Sequence, residues 1–201
     1  MIRLLIADDQ ALVRGALSAL LGLEPDIEVV AEVGRGDEVV AAAQAAQADV
    51  ALLDIEMPGM DGIAAAAALR AACPACRVLI VTTFGRPGYL ARAMRSGASG
   101  FVVKDTPAAQ LADAVRRVAQ GLRVVDPALA ADSLAQGASP LTERETDVLA
   151  AARTGGSIAD IARMLHLSEG TVRNHLSSAI GKTEGRNRAD AARIAEENGW
   201  L

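Results

Sequence analysis

The chain has 201 residues, 51% of them hydrophobic, and a formal net charge of −5. That length holds one or two domains with real cores, and the composition excludes a disordered chain. No run of about 18 apolar residues occurs, and the short apolar start ends at Asp8-Asp9, unlike a signal peptide. The expectation is a soluble, cytoplasmic protein with no membrane partner.

The apolar run Ile2 to Ala7 predicts a strand, and the spacing of Leu12, Ala16, Leu20 and Leu23 predicts a helix over Ala11 to Leu23. Ile27 to Val33 reads as a second strand and Asp37 to Ala46 as a helix rich in Val and Ala. Val50 to Leu53 has the apolar character of a strand buried on both faces of a parallel sheet, and it stops at Asp54. Pro58 and Gly59 then turn the chain. Asp61 to Ala72 reads as an alanine-rich helix, Arg77 to Val81 as a strand, and Pro87 to Ser96 as a helix with proline in its first turn. Gly100 to Val103 and Pro107 to Gln120 complete a (βα)5 pattern, an α/β domain with a parallel sheet and helices on both faces.

Cys73 and Cys76 form a C-x-x-C. Zinc would need two more ligands, and the only histidines, His166 and His175, lie far along the chain. A redox pair belongs at a helix N-terminus, whereas this one follows a helix. The two read as ordinary loop cysteines. Gly34-Arg35-Gly36 reads as a turn.

The strand ends share a chemistry. The first strand ends in Asp8-Asp9, the third in Asp54, the fourth in Thr82-Thr83 and the fifth in Lys104. In parallel α/β sheets ligands bind beyond the carboxyl ends of the strands. Three carboxylates make a hard-oxygen pocket suited to Mg2+. Asp54 can act as a nucleophile toward phosphorus. Lys104 offers a point charge, and Thr82 a hydroxyl, to phosphoryl oxygens.

Residues 1–120 resemble the receiver domain of two-component response regulators, which has a flavodoxin-like fold. The resemblance rests on Ala7-Asp8-Asp9-Gln10, Leu53-Asp54-Ile55-Glu56-Met57-Pro58-Gly59-Met60-Asp61-Gly62, Val81-Thr82-Thr83 and Gly97 through Asp105. It implies that Asp54 accepts phosphate from a phosphohistidine on a sensor histidine kinase. It also implies that Asp8, Asp9, Asp54 and the backbone carbonyl of Glu56 hold Mg2+. Thr82 would be the switch hydroxyl, Phe101 the switch aromatic and Lys104 the phosphate-pairing lysine.

Residues 121–139 shift in composition and read as a linker, with a partial helix over Ala128 to Gln136. From Leu141 the pattern is helical. Thr142-Glu143-Arg144-Glu145 is a capping box, and Val148, Leu149 and Ala152 form the buried face behind it. Ser157 opens a second helix with Ile158, Ile161, Ala162 and Leu165 on one side. A short turn leads to a third helix capped by Ser168, with Val172, Leu176, Ala179 and Ile180 inward. Its outer face carries Asn174, Ser177, Ser178 and Gly181, flanked by Thr171 and Arg173. Two short helices joined by a tight turn form a helix-turn-helix pattern, and a helix with a sparse polar face suits a major groove. Arg173 can bond guanine edges and Asn174 adenine edges. Lys182, Arg186 and Arg188 can contact phosphates.

Residues 139–201 resemble the four-helix DNA-binding domain of the NarL/LuxR class. The matching pieces are Leu141 through Glu145, Ile161-Ala162, Leu167 through Leu176 and Asn187 through Ala191. The resemblance implies that the third helix reads DNA and that the last, with Ala191, Ile194 and Ala195, helps pack a dimer. One departure is charge, since these residues hold 8 basic and 9 acidic groups.

The domain expectation is therefore a receiver over residues 1–120, a linker over 121–139 and a small all-α helix-turn-helix domain over 140–201. The functional expectation is a NarL/FixJ-type response regulator that regulates transcription as a phosphorylation-promoted homodimer on promoter half-sites, with RNA polymerase as a further partner. It is not a metabolic enzyme. One alternative is a receiver-like transcription factor controlled without phosphorylation, and the complete set of Asp8, Asp9, Asp54, Thr82 and Lys104 argues against it. Another is an aspartyl-phosphate phosphohydrolase, for which the chain lacks a substrate-covering insertion.

Overall fold

The protein is described from a computed structural model, which covers residues 1–83, 87–127, 129–131, 139–153 and 155–201. The chain divides into two compact units, residues 1–85 with 90–131, and residues 86–89 with 132–201. Among the described residues no helix is long and apolar enough to cross a membrane.

The first unit is a six-stranded parallel sheet in the order β2-β1-β3-β4-β5-β6. The strands are β1 (Ile2–Ala7), β2 (Ile27–Val33), β3 (Val50–Asp54), β4 (Arg77–Thr82), β5 (Gly100–Val103) and β6 (Val124–Val125). Helices α1 (Ala11–Leu21), α2 (Val39–Ala45), α3 (Gly62–Ala72), α4 (Pro87–Ser96) and α5 (Ala108–Ala119) connect them. A short 3-10 turn over Gly36–Glu38 replaces the start of the helix expected from Asp37.

The burial pattern explains why the strands are legible. All five residues of β3 are buried. Along β1 and β3, Leu4, Ile6, Val50 and Leu52 join one apolar cluster with Leu111, Val115 and Val118 of α5 and Leu21 of α1. Leu5 and Leu53 alternate with these positions and are fully buried too, as a central strand covered on both faces requires. Each such aliphatic side chain stabilises the fold by about 1.5–3 kcal/mol.

Two expectations need correction. The stripe Leu12, Ala16, Leu20 and Leu23 faces outward: Leu12 is 87% and Leu23 80% exposed. α1 instead turns Leu17 and Leu21 toward the core. Both stripes have helical spacing, so periodicity alone did not select between them. The second correction concerns residues 124–125, which composition assigned to a linker. Val124 and Val125 pair with Gly100 and Phe101 as a sixth strand, and the Val124 N–H donates to the Ser99 carbonyl at 3.0 Å. A two-residue strand is too short for a period-2 signal. The partial helix expected over 128–136 lies mostly outside the described residues.

Among the described residues, 139–201 hold four helices, α6 (Glu143–Arg153), α7 (Ile158–Met164), α8 (Glu169–Thr183) and α9 (Arg188–Glu197). Their starts follow the expected caps. Thr142 and Glu145 exchange hydrogen bonds at 2.7 and 3.3 Å, Ser157 and Asp160 form a capping box, and Ser168 Oγ accepts from the Thr171 N–H. Val148, Leu149, Ile161, Val172, Leu176 and Ala179 share one core. Ala191 and Ala195 of α9 belong to that core and are fully buried. They are thus occupied within the unit, whereas the family pattern had given them to a dimer contact.

Val124 closes the edge of the sheet, so Val124→Asp should destabilise the protein by about 2–3 kcal/mol. Urea denaturation of the full chain measures this, and an unchanged midpoint would mean that the sixth strand adds no stability.

Candidate functional site

The register assembles the acidic site. Ala7 lies opposite Leu53, so Asp8 and Asp54 emerge side by side. Asp54 lies opposite Val81, and Thr82 opposite Val103, which sets Thr82 and Lys104 one step further on neighbouring strands. β1 has β2 on one side and β3 on the other, so the strand order reverses between β1 and β3. That crevice is where an open parallel sheet binds ligands.

The loop after β3 is held close. The Gly62 N–H donates to the Ile55 carbonyl at 2.9 Å. A Cβ at Gly62 would collide with the Asp54 carbonyl, and Gly59 has φ +80° and lies against the Asp37 carboxylate. Only glycine meets both demands without strain. Asp61 caps α3 by accepting from the Ala64 N–H at 2.7 Å. Glu56 lies in this loop with its side chain exposed.

Asp8 and Asp54 are buried, and Asp9 is exposed. One carboxylate oxygen from each of the three lies within 4.8 Å of the others. Asp8 Oδ1 accepts from the Gln10 N–H at 2.9 Å, and Asp54 Oδ1 from the Ile55 N–H at 2.8 Å. Lys104 Nζ lies 2.7 Å from Asp8 Oδ2 and 3.0 Å from Asp54 Oδ2. Both contacts are close ion pairs without hydrogen-bond geometry, which leaves Asp8 Oδ2 and Lys104 Nζ buried and lacking a hydrogen bond. That oxygen, with two more carboxylates beside it, fits a small hard cation such as Mg2+. Burial pushes the Asp54 carboxyl up, the Lys104 ammonium counters, and the net shift is upward. Burial pulls Lys104 down, but the close carboxylates of Asp8 and Asp54 outweigh it and raise its pKa.

Thr82 is buried at the end of β4. Phe101 is fully buried in β5. Arg14, which no sequence pattern marked, donates to the Asp8 backbone carbonyl. Cys73 ends α3 and is half-buried, while Cys76 is buried, with its thiol pushed up to about 12 by burial. Cys76 therefore lacks the exposed thiolate character of a redox centre.

In the second unit α8 presents Arg173, Asn174, Ser177, Ser178 and Lys182 to solvent, with Thr171 partly exposed. Most cations here are already engaged. Arg173 pairs with Glu169 at 2.8 Å, Lys182 with Glu145 at 2.7 Å, and Arg186 with Asp190 at 3.1 Å. Arg188 donates to the Gly156 carbonyl at 3.0 Å. The sequence marked all four cations, but not these partners.

Lys104 keeps two buried carboxylates compatible. Because its pKa is raised above the ordinary 10.5, its contribution is complete below about that pH and constant through neutrality. Lys104→Met should cost about 3 kcal/mol at pH 7. In that variant Asp54, whose carboxyl burial already raises, loses the ammonium that counters burial, so its folded pKa lies further above the unfolded one and stability should fall as pH rises above the ordinary carboxylate range. Urea unfolding at pH values through and above that range, with and without Mg2+, checks the slope, and Mg2+ should restore part of the loss.

Residues 4–116 match the response regulator receiver domain family, and residues 139–195 match the luxR family of bacterial regulatory proteins. The chain is 42% identical to the transcriptional regulatory protein DesR of Bacillus subtilis, with all of both chains covered. It is 41% identical to the response regulator RamR of Streptomyces coelicolor, over 100% of this chain and 98% of that one. It is also similar to the crystal structure of the response regulator ChrA from a heme-sensing two-component system, with a TM-score of 0.59 and 33% identity over 100% of this chain and 98% of that one. The family consists of transcription factors, not enzymes. Both units are accounted for, and the chain belongs to the two-component response regulators of the NarL/FixJ type, DNA-binding regulators of transcription with a LuxR-type helix-turn-helix.

Proposed function

We propose that Asp54 is the phosphoacceptor and that a sensor histidine kinase is the donor. The observation that carries this is the buried Asp54 carboxylate between Lys104 and the Asp8–Asp9 pair at the switch point of the sheet. A carboxylate oxygen of Asp54 forms the new P–O bond while the P–N bond of the phosphohistidine breaks and the imidazole leaves. Lys104 neutralises charge on the phosphoryl oxygens, and Thr82 donates its hydroxyl to one of them. Asp8, Asp9, Asp54 and the Glu56 carbonyl are the ligands that would hold Mg2+. Bound there, the ion would supply further neutralisation of phosphoryl charge.

The domain limits that fit this reading are a receiver over 1–120 extended by β6, a linker reaching 139, and an output domain over 140–201. The output domain uses α8 as its DNA-facing helix. Thr171, Arg173, Asn174 and Ser177 are its base-facing residues, and Arg186 and Arg188 contact phosphates. The protein works in the cytoplasm. Phosphorylation favours a homodimer on paired half-sites, because joining two weak output domains raises effective concentration without any new contact. Thr82 moving toward the phosphoryl group initiates that change next to Phe101. RNA polymerase is the downstream partner.

Incubation with acetyl phosphate and Mg2+ should add one phosphoryl group to the intact protein, read by mass spectrometry. Asp54→Asn should take up none while keeping its circular dichroism spectrum. Full labelling of that variant would place the phosphate elsewhere. Arg173→Ala should weaken binding to a selected site by about 1–3 kcal/mol, as measured by gel-shift titration. Sedimentation velocity with and without beryllofluoride tests the dimer, and equal association constants in the two samples would refute it.

A further inference from the structure

Glu145 stands in the first turn of α6 yet is only 4% exposed. Capping needs one of its oxygens: Oε2 accepts from the Thr142 N–H at 2.7 Å. Both oxygens also reach across to α8. Oε1 accepts from Ser178 Oγ at 2.6 Å, and Oε2 accepts from Lys182 Nζ at 2.7 Å. Ser178 and Lys182 are four residues apart, so the carboxylate grips one face of the helix over a full turn. Burial pushes this carboxyl up, but its bonds to Lys182, Ser178 and Thr142 outweigh that and hold it at about 2. The other ion pairs of these cations differ in kind. Arg173–Glu169 and Arg186–Asp190 join residues four apart and leave their cations exposed. The Glu145 contacts span 33 and 37 residues and tie two helices together.

The two lysines of the chain, Lys104 and Lys182, stand against eighteen arginines. Each sits on a buried carboxylate. A compact ammonium with three donors suits such a site better than a planar fork.

We infer that Glu145 is a positioning residue for DNA recognition. By gripping Ser178 and Lys182 it fixes the rotation and slide of α8, and so the angle at which Arg173 and Asn174 meet the bases. Lys182 serves this grip and makes no phosphate contact of its own. The inference rests on the reading of α8 as the DNA-facing helix.

The test uses the full-length protein, a duplex that the wild type selects from a random-sequence pool, and poly(dI-dC) as the non-specific probe. Glu145→Gln should lower affinity for the selected duplex about tenfold and leave the non-specific affinity within about twofold. Lys182→Met should show the same selective loss with an unchanged salt slope, and Lys182→Arg should recover part of it. Circular dichroism melts establish that each variant is folded at the assay temperature. If Glu145→Gln fails to fold, Ser178→Ala decides, because it removes one arm of the grip and leaves no buried charge unpaired. A folded Glu145→Gln or Ser178→Ala with wild-type specific affinity would overturn the inference. So would a Lys182→Met variant that loses affinity equally on both probes and flattens the salt slope by about one, the mark of a phosphate contact. Arg173→Ala separates the two levels: wild-type specific affinity in that variant removes the DNA-facing reading of α8 itself, whatever Glu145 does.

Discussion

Two carboxylates placed side by side at the end of a buried sheet repel each other and lose their hydration. In this chain the Lys104 ammonium lies between Asp8 and Asp54 and makes that arrangement stable. The sheet register depends on the same group. β1, β3 and β5 each end on a member of the cluster, so a slip of one residue in any of them would break it. The site therefore stores an electrostatic imbalance that an added cation or phosphoryl group resolves in different ways. A divalent cation adds positive charge on the carboxylate side. On the proposed reading, a phosphoryl group would make Asp54 a larger anion and draw on Lys104 and on the Thr82 hydroxyl.

Much of this was legible in the sequence, for a definite reason. Strands buried on both faces read as continuous apolar runs, and each of the central ones stops at a polar residue. Asp8, Asp54, Thr82 and Lys104 stand out because a polar side chain directly after such a run calls for a partner. Caps were equally readable, because Thr142, Ser157 and Ser168 precede helices in patterns that fix local hydrogen bonds. What failed was choice among equivalents. α1 has two apolar stripes, and the sequence alone preferred the one that the fold exposes. β6 is too short to show alternation. Ala191 and Ala195 match a dimer-helix pattern but fill their own core. Glu145 read only as a cap, because its second partner lies more than thirty residues away and no local rule reaches that far.

The second unit shows how a nearly neutral domain can still offer a cationic face. Glu169 holds Arg173 at an exposed site, where such a pair is worth little, and Asp190 holds Arg186 while keeping Arg193 as a second partner. A phosphate can therefore take over these cations at small cost. Lys182 differs, because releasing it would strand the buried Glu145 carboxylate. Exchangeable and fixed cations thus lie on one helix and its flank, and what separates them is whether the carboxylate left behind keeps solvent or another cation, as Glu169 and Asp190 do and Glu145 does not.

The scarcity of lysine has a chemical consequence. Acylating reagents and acyl-transfer enzymes attack amines, and this chain's two lysine amines are both engaged with buried carboxylates. Neutralising either would leave an unpaired buried charge and cost several kcal/mol. The other eighteen side-chain cations are guanidinium groups, which such chemistry leaves alone. The side-chain positive charge of the protein is in this way almost immune to amine modification, and an acyl group that did enter a lysine would strike either the acidic pocket or α8.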